Sequence, residues 1–243
     1  ILNSDTITTY LVGGGTQGQL ASVGSISATG SASLSAADDI TFNGGVLTSG
    51  GDLSLLAGDG LTVGTTVVEQ ASSISGKHLS ISGSQTENYG TTITSGGNAV
   101  LAALTGDLKT AGTTLTTDGN LTLSAAKSLD LGSVTNSVSD SISGKESGFL
   151  TKSSFSLNTA STTEIGSAIA AGGTLTAVSG GDMSIKGTVG SAGDATLLSG
   201  GTFTESATKS TADESSSHHT AGFHMSTQGA SGTIGYGSRT DTT

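Results

Sequence analysis

Residues 50–63 read GGDLSLLAGDGLTV, and this stretch decides the fold. It contains two pairs of apolar residues two positions apart, Leu53 with Leu55 and Leu61 with Val63. Such alternation with polar residues is the period of a strand that buries one face. Glycine and aspartate precede each pair, and both residue types are typical of tight turns. The stretch therefore predicts two short strands joined by sharp corners.

The same pattern recurs along the chain as an internal repeat. First pairs start 20 to 26 residues apart, except for one gap of 54, and a second pair usually follows eight or nine residues after the first. A third short arm, such as Thr65-Thr66-Val67, closes each unit. Three strands in about 21 residues make one rung of a parallel β-helix, in which stacked rungs share a continuous core. The first pairs are Ala32/Leu34, Leu53/Leu55, Leu79/Ile81, Ala99/Leu101, Leu121/Leu123, Leu175/Ala177 and Ala195/Leu197.

This repeat predicts an all-β protein, a right-handed parallel β-helix of roughly eight to ten rungs that spans residues 1–243 as one domain. We expect polar residues to stack at one corner of the rungs, namely Asp52, His78, Asn98, Asn120, Thr174 and Asp194. We expect the core to contain Leu53, Leu55, Leu61, Val63, Leu121, Leu123, Leu129 and Leu131.

The composition supports extended β structure and argues against several binding functions. The chain has 39 Gly, no Cys and no Pro, and proline would interrupt a sheet because it cannot donate to the ladder. The formal net charge is −11, and the eight Lys and Arg residues are scattered along the sequence. Nucleic acids and anionic membrane surfaces need clustered basic residues, so we expect neither as a partner. The first residues show neither an initiator Met nor a signal peptide, which predicts an internal fragment of a longer protein.

Three stretches interrupt the repeat, at about residues 83–92, 136–169 and 206–243. They are rich in Ser and Thr and hold five of the eight Phe and Tyr residues. We interpret them as hairpin-like excursions packed on the side of the helix, with disordered loops as the alternative. Their aromatic residues are the candidates for contact with a partner: Phe149, Phe155, Phe223 and Tyr236.

The sequence resembles a known family. Residues 50–63 resemble the haemagglutinin repeats of filamentous haemagglutinin. The Ser-rich segments with Ser147-Gly148-Phe149, and the segment GTIGYGS at residues 232–238, resemble a second class of these repeats, typical of the stalk of contact-dependent growth-inhibition exoproteins. This resemblance, which covers nearly the whole chain, implies two-partner secretion through an outer-membrane exporter and display as a filament. It also implies that the parent protein can carry a toxin at its far C-terminus.

Motifs for catalysis or cofactor binding are not found in the sequence. It has no phosphate-binding loop with lysine, no Gly-x-Ser-x-Gly elbow and no His-Glu-x-x-His motif, so we expect no enzyme and no cofactor. His218, His219 and His224 lie within seven residues and are a weak candidate for a metal site. An exposed polar loop is the favoured interpretation of these histidines.

Three functional classes follow from these observations. A structural stalk that displays or delivers other domains needs only the repeat, and we expect this function in a secreted protein of the bacterial cell surface or outer membrane. An adhesive module would contact a target-cell or host receptor through the aromatic excursions. A carbohydrate-active enzyme would need acidic residues aligned across neighbouring rungs, where the repeat places Ser and Thr, so this class is the least expected.

Overall fold

A computed structural model describes residues 1–148, 151–226 and 229–239, and the chain in these ranges is built from strands and turns. No helix of membrane-spanning length and hydrophobicity occurs among the described residues. The strands are β1 (Leu2–Asn3), β2 (Asp5–Tyr10), β3 (Gly15–Ser22), β4 (Ser25–Ala28), β5 (Ala32–Ala36), β6 (Ile40–Asn43), β7 (Gly45–Ser49), β8 (Leu53–Ala57), β9 (Leu61–Ser75), β10 (Leu79–Ser95), β11 (Ala99–Ala103), β12 (Leu108–Ala111), β13 (Thr114–Thr117), β14 (Leu121–Ala125), β15 (Leu129–Ser147), β16 (Thr151–Ala171), β17 (Leu175–Ser179), β18 (Met183–Ser191), β19 (Ala195–Ser199), β20 (Phe203–Ser206), β21 (Thr211–Ser226) and β22 (Gly229–Arg239).

Three parallel sheets form the walls of a β-helix. Face 1 consists of β5, β8, β11, β14, β17 and β19. Face 2 consists of β1, β6, β9, β12, β15, β18 and β20, and face 3 of β4, β7, β10, β13, β16 and β18. Equivalent positions of successive rungs lie side by side, as Leu53 with Ala99 and Ala99 with Leu121. The parallel β-helix predicted from the repeat is confirmed.

The inward-facing residues of the three faces fill one continuous core. Leu55, Leu101 and Leu123 occupy the same position in three successive rungs of face 1 and are buried. All eight residues expected in the core lie there, each at most 2% exposed. Burial of a leucine side chain contributes about 1.5–3 kcal/mol, but ordering the chain of one rung offsets most of this gain. One rung is therefore marginal, and the stack is stable because each rung covers the next.

Long excursions leave the β-helix where face 2 turns into face 3, and they do so on alternate rungs. They follow the face 2 strands β1, β9, β15 and β20, and their described residues are 5–22, 65–90, 133–148 with 151–166, and 211–226 with 229–239. The strands between them, β6, β12 and β18, turn directly into face 3. We refer to the excursions as the first to fourth hairpins and to the direct turns as plain corners.

The four hairpins join edge to edge into one antiparallel sheet, the hairpin sheet. Its strand order is β2, β3, β9, β10, β15, β16, β21, β22. Neighbouring strands lie about 4.8 Å apart, so a two-stranded hairpin is about as wide as two rungs are high. One hairpin on every second rung therefore gives the hairpin sheet the same spacing along the axis as the β-helix.

Glycines make the plain corners narrow enough for hairpins to meet above them. Gly44 and Gly112 have φ angles of 69° and 59°, in the left-handed region that favours glycine. A Cβ atom on Gly112 would lie 2.7 Å from Val134 Cγ2 in the third hairpin and 3.1 Å from Thr65 Cγ2 in the second. A larger residue at this corner would hold the two hairpins apart.

The rung count and the excursion bounds differ from the sequence-based expectation. Face 1 has six strands, so the described part of the chain forms six rungs rather than eight to ten. The hairpins account for the difference because they take up chain that the prediction assigned to rungs. The second hairpin spans 65–90 rather than 83–92, the third and fourth start at residues 133 and 211, and the first, at 5–22, was not expected.

One apolar pair of the proposed repeat lies outside the rungs. Leu79 and Ile81 belong to the second hairpin and are 44% and 38% exposed, so they do not contribute to the core. Strands of the hairpin sheet alternate with the same period of two as strands of the rungs, which explains the misassignment. His78 precedes this pair in the turn of the hairpin, and its expected place in the corner stack is wrong.

The corner stack itself is a ladder of side chains that hold backbone amides of the next rung. The amide of Asp52 donates to Ser31 Oγ at 3.1 Å, and the amide of Asn98 donates to Asp52 Oδ1 at 2.8 Å. The amides of Asn120 and Thr174 continue the ladder on the side-chain oxygens of Asn98 and Asn120, at 2.9 and 2.8 Å. These bonds set the register of successive rungs at their corners.

Candidate functional site

The hairpin sheet contains the contact residues that the sequence predicts within the described chain, and its two faces differ. Directly opposed residues of an antiparallel sheet share a face, and successive residues alternate between faces. The pairing therefore assigns Ser80 and its cross-strand partners to one face, which we call the serine face. Ile81 and its partners lie on the other face, which we call the apolar face.

The serine face carries rows of hydroxyl side chains. One row occupies opposed positions in five neighbouring strands: Ser75, Ser80, Ser143, Ser156 and Ser217. Within it, the hydroxyls of Ser75 and Ser80 are 3.3 Å apart, and those of Ser156 and Ser217 are 2.8 Å apart. Short hydroxyl side chains bond across strands and present a flat polar surface without a second layer of structure.

The apolar face carries a row of aliphatic side chains. Ile74, Ile81, Ile142 and Leu157 occupy opposed positions in four neighbouring strands. Ile74 is 64% exposed, whereas Ile142 and Leu157 are half-buried. Cross-strand pairs of this kind contribute about 0.2–1 kcal/mol each, so the row stabilises the hairpin sheet while remaining open to solvent.

Phe155, one of the expected contact residues, lies on the apolar face in the row next to Leu157. It opposes Gly144, and a Cβ atom on Gly144 would come within 2.3 Å of the Phe155 ring. The ring therefore covers this glycine, which is buried, while 44% of Phe155 remains exposed. This contact within the sheet is sufficient to explain the position of Phe155.

The other expected contact residues are only partly described. Phe149 lies outside the described residues. In the backbone register, Phe223 of β21 opposes Gly232, and Tyr236 of β22 opposes His219. The structure thus places both residues in the fourth hairpin.

The histidines of the weak metal candidate do not share one face. His218 and His219 are consecutive in β21, so they lie on opposite faces of the hairpin sheet: His218 opposes Phe155, and His219 opposes Ser154. The ring of His218 contacts Thr220 Oγ1 at 2.9 Å. His224 opposes Ser231 in the backbone register. Among the described residues, no group of three His, Cys, Asp or Glu side chains is placed to hold a metal ion.

A group of basic side chains at the hairpin tips was missed by the sequence analysis, which took the basic residues as scattered. Lys77, His78, Lys145, Lys152 and His219 line a cavity of about 530 Å³. Lys77 and Lys145 are 68 positions apart in the sequence, and the pairing of β10 with β15 brings their hairpin tips together. No motif marks this cluster, because it depends on the register between separate hairpins.

Two carboxylates tie the rungs and hairpins together, and their contacts lower both pKa values. Glu164 accepts hydrogen bonds from Lys186, from Ser133 Oγ at 2.6 Å and from the Lys209 amide at 2.9 Å, and these lower its pKa to about 2. The side chain and amide of Ser128 bond Asp107 Oδ1 at 2.6 and 3.0 Å and lower the pKa of Asp107 to about 2. Both groups are more stable as anions in the folded chain than in the unfolded chain.

Acid is expected to destabilise the protein through these two carboxylates. Their ordinary pKa values of 3.8 for Asp and 4.5 for Glu exceed the folded values, so the stabilisation is complete above about pH 5 and is lost as the pH falls towards 2. We expect the double variant Asp107→Asn/Glu164→Gln to show a lower Tm at pH 7 and a smaller fall in Tm between pH 7 and pH 2. Thermal unfolding followed by circular dichroism would measure both effects.

The control for the acid experiment removes one Asp charge and one Glu charge at another place in the fold. Asp213→Asn/Glu214→Gln alters two exposed carboxylates of β21 and should keep the wild-type fall in Tm. An equal acid response in the wild type and the Asp107/Glu164 variant would contradict the role of these contacts.

A continuous parallel β-helix with a lateral hairpin sheet defines a fibrous repeat protein. One haemagglutinin repeat family matches residues 2–65, and a second hemagglutinin repeat family matches residues 72–150 and 148–242. The chain therefore belongs to the haemagglutinin repeat proteins, and the resemblance to filamentous haemagglutinin is confirmed. Such proteins are generally secreted adhesins associated with the cell surface, and the chain has the character of their adhesin or stalk region. No curated protein and no solved structure matches it.

The bounds of the second family agree with the alternation of hairpins. The match at 72–150 starts in the second hairpin and ends beyond β15 of the third, so it contains one plain rung. The match at 148–242 runs from the third hairpin through the fourth. One repeat of this family thus corresponds to two rungs of the β-helix.

Proposed function

We propose that this chain is a length of stalk in a secreted bacterial surface protein, where it holds or delivers other domains and catalyses no reaction itself. The observation that carries this proposal is the single core that runs through five of the six rungs of the described chain, from β5 to β17 on face 1. Each rung covers the apolar side chains of its neighbour, as Leu115 lies between Ile93 and Ile169. Such a stack maintains its direction over many rungs, which is the property that a spacer requires.

The hairpin sheet supports the same function. The hydrogen bonds between hairpins connect alternate rungs, those of the three faces connect neighbouring rungs, and both sets run along the axis of the β-helix. The third hairpin pairs with the fourth over residues 151–162 and 211–222, beside the face 2 pairing of β18 with β20. Stretching the chain along its axis must therefore break two sets of hydrogen bonds together.

Export through an outer-membrane exporter is part of the proposal. The chain has no Cys and no Pro, so folding outside the membrane waits neither for disulfide formation nor for prolyl isomerisation. Each rung can fold on the one before it, because successive rungs are nearly equivalent. The resemblance to contact-dependent growth-inhibition exoproteins supports toxin delivery as the purpose of the stalk.

An adhesive module is the second candidate, and the exposed apolar face favours it. The row from Ile74 to Leu157, together with Phe155, would be the contact surface for a receptor on a target or host cell. The same side chains already pack across strands and over Gly144, which explains their positions without a receptor. The stalk is therefore the preferred function.

The test replaces residues 1–243 in the full-length protein with an unrelated parallel β-helix of six rungs. If the chain is a stalk, this replacement should leave three properties at their wild-type values: secretion, filament length in electron micrographs and display of the downstream domains. A flexible Gly/Ser segment of the same residue count is the matched control, and it should make the filament bend freely at this point in electron micrographs, because a random coil maintains no direction. Loss of adherence to target cells at wild-type filament length would favour the adhesive module and contradict the stalk.

A further inference from the structure

The fold gathers positive charge at one place on an acidic protein. Three of the eight Lys and Arg residues, Lys77, Lys145 and Lys152, line the cavity at the tips of the second and third hairpins. All three are exposed, and within the described part of the chain none forms an ion pair. The Lys–carboxylate contacts among the described residues lie elsewhere, in the rungs for Lys109 with Asp107 at 3.1 Å and at the base of the third hairpin for Lys186 with Glu164. The tip cluster therefore concentrates positive charge that no ion pair among the described residues neutralises.

The strand register places Lys145, Lys152 and His219 on the serine face, and Lys77 lies in the turn of the second hairpin. Lys145 opposes Ser154, which in turn opposes His219, so these three residues form one row. Lys152 opposes Ser147 in the next row towards the tips. Diagonal neighbours on adjacent strands are about 7–8 Å apart, a separation that two lysine side chains readily bridge around one small anion.

His78, at the tip of the second hairpin, is held in place by the third hairpin. The amide of Lys145 donates to the backbone oxygen of His78 at 2.9 Å, and His78 Nδ1 lies 3.1 Å from the backbone oxygen of Lys145. This pair of contacts docks the tip of the second hairpin against the third. The cavity walls are thus positioned by backbone pairing, while the lysine side chains remain free to adjust to a ligand.

The donor set fits a phosphate group better than a carboxylate. Phosphate carries close to two negative charges at neutral pH and presents several acceptor oxygens, whereas the cavity offers three ammonium groups and the hydroxyls of Ser147 and Ser154. Lysine binds phosphate as a point charge with three donors and needs no planar, bidentate partner. Glu146 also lines the cavity but follows Lys145 in the strand and so lies on the other face of the sheet.

We propose that the tips of the second and third hairpins form a binding site for a phosphate group, with Lys77, Lys145 and Lys152 as the charged ligands and the neighbouring serines as hydrogen-bond donors. The group is carried either by a free phosphate compound or by an anionic lipid headgroup. The site is independent of the stalk function, because all of these side chains lie on the hairpin tips, away from the core.

The experiment titrates the complete chain with inorganic phosphate by isothermal calorimetry and, in a separate arm, measures sedimentation with vesicles of phosphatidylglycerol or of phosphatidylcholine. Lys145→Gln/Lys152→Gln should weaken phosphate binding about tenfold or more. Lys127→Gln/Lys209→Gln is the matched control, since it removes two exposed lysines elsewhere and changes the net charge equally. This control should change the affinity less than about twofold.

The two arms separate the sources of the phosphate group. Binding of inorganic phosphate without sedimentation by phosphatidylglycerol vesicles identifies a soluble phosphate compound as the ligand. Sedimentation by phosphatidylglycerol but not phosphatidylcholine, lost in Lys145→Gln/Lys152→Gln, identifies a lipid headgroup. The site does not exist if neither probe binds at millimolar phosphate, or if both double variants lose the same affinity with unchanged circular dichroism spectra.

Discussion

Deletion of residues 99–120 is expected to damage the fold more than deletion of residues 53–120, although the first removes 22 residues and the second 68. Both deletions join equivalent corners, since Leu53, Ala99 and Leu121 occupy the same position in successive rungs. The two variants differ in how they affect the order of hairpins. The shorter deletion removes one plain rung alone, whereas the longer one removes a plain rung together with a hairpin-bearing rung.

The physical reason is the width of a hairpin. After the shorter deletion, the second and third hairpins leave from adjacent rungs about 4.8 Å apart, and each hairpin needs about twice that height. The plain corner at Gly112, above which these hairpins meet, is also lost. After the longer deletion, one plain rung still separates the first hairpin from the third, so the hairpin sheet can close.

Thermal unfolding and limited proteolysis would compare the two deletion variants. The 68-residue deletion should give one cooperative transition and a protease-resistant product. The 22-residue deletion should lower the Tm strongly and expose the second and third hairpins to cleavage. A Tm for the 22-residue variant within about 3 °C of the wild-type value would show that the alternation is not a constraint.

Replacement of Leu123 by aspartate is expected to cost about 4 kcal/mol or more of unfolding free energy. Leu123 is fully buried in face 1 between Leu101 and Ala177, so the new carboxyl group would find no water and no hydrogen-bond donor among its stacked neighbours. The neighbouring rungs would lose their shared core at this level.

The matched control is Thr122→Asp, which places the same group on the outer side of the same strand. Thr122 is half-buried, and its side chain faces away from the core, so this change should cost less than about 1 kcal/mol. Urea denaturation followed by circular dichroism would give both values. Similar losses for the two variants would mean that water reaches the interior of the rungs.

The core of this protein could be predicted from the sequence because it repeats. Leu53, Leu121 and Leu129 recur with the same flanking turns, and repetition identifies the inward face of each rung. The hairpins are harder to predict, since Leu79-Ser80-Ile81 alternates as a rung strand does, and only the fold decides whether such a strand pairs in parallel or antiparallel. The first hairpin did carry a signal: Gly13-Gly14-Gly15 separates two polar strands and marks a turn.

The basic cluster could not be predicted from the sequence in this way. Lys77 lies in the second hairpin, whereas Lys145 and Lys152 lie in the third, and the register between hairpins brings them together. Pairing of this kind depends on where each hairpin leaves the rungs, and one residue of shift would move Lys145 to the other face of the sheet. Charge counts along the sequence contain no information about such a shift.

Because all hairpins lie on one side, a long filament of this type would not bend equally in all directions. Bending in the plane of the hairpin sheet must stretch or compress the hydrogen bonds at the hairpin tips, which lie farthest from the axis of the β-helix. Bending across that plane only flexes a single layer of strands. Flexural stiffness therefore differs between the two directions. A domain carried at the end of the filament would move mainly in one plane rather than equally in all directions.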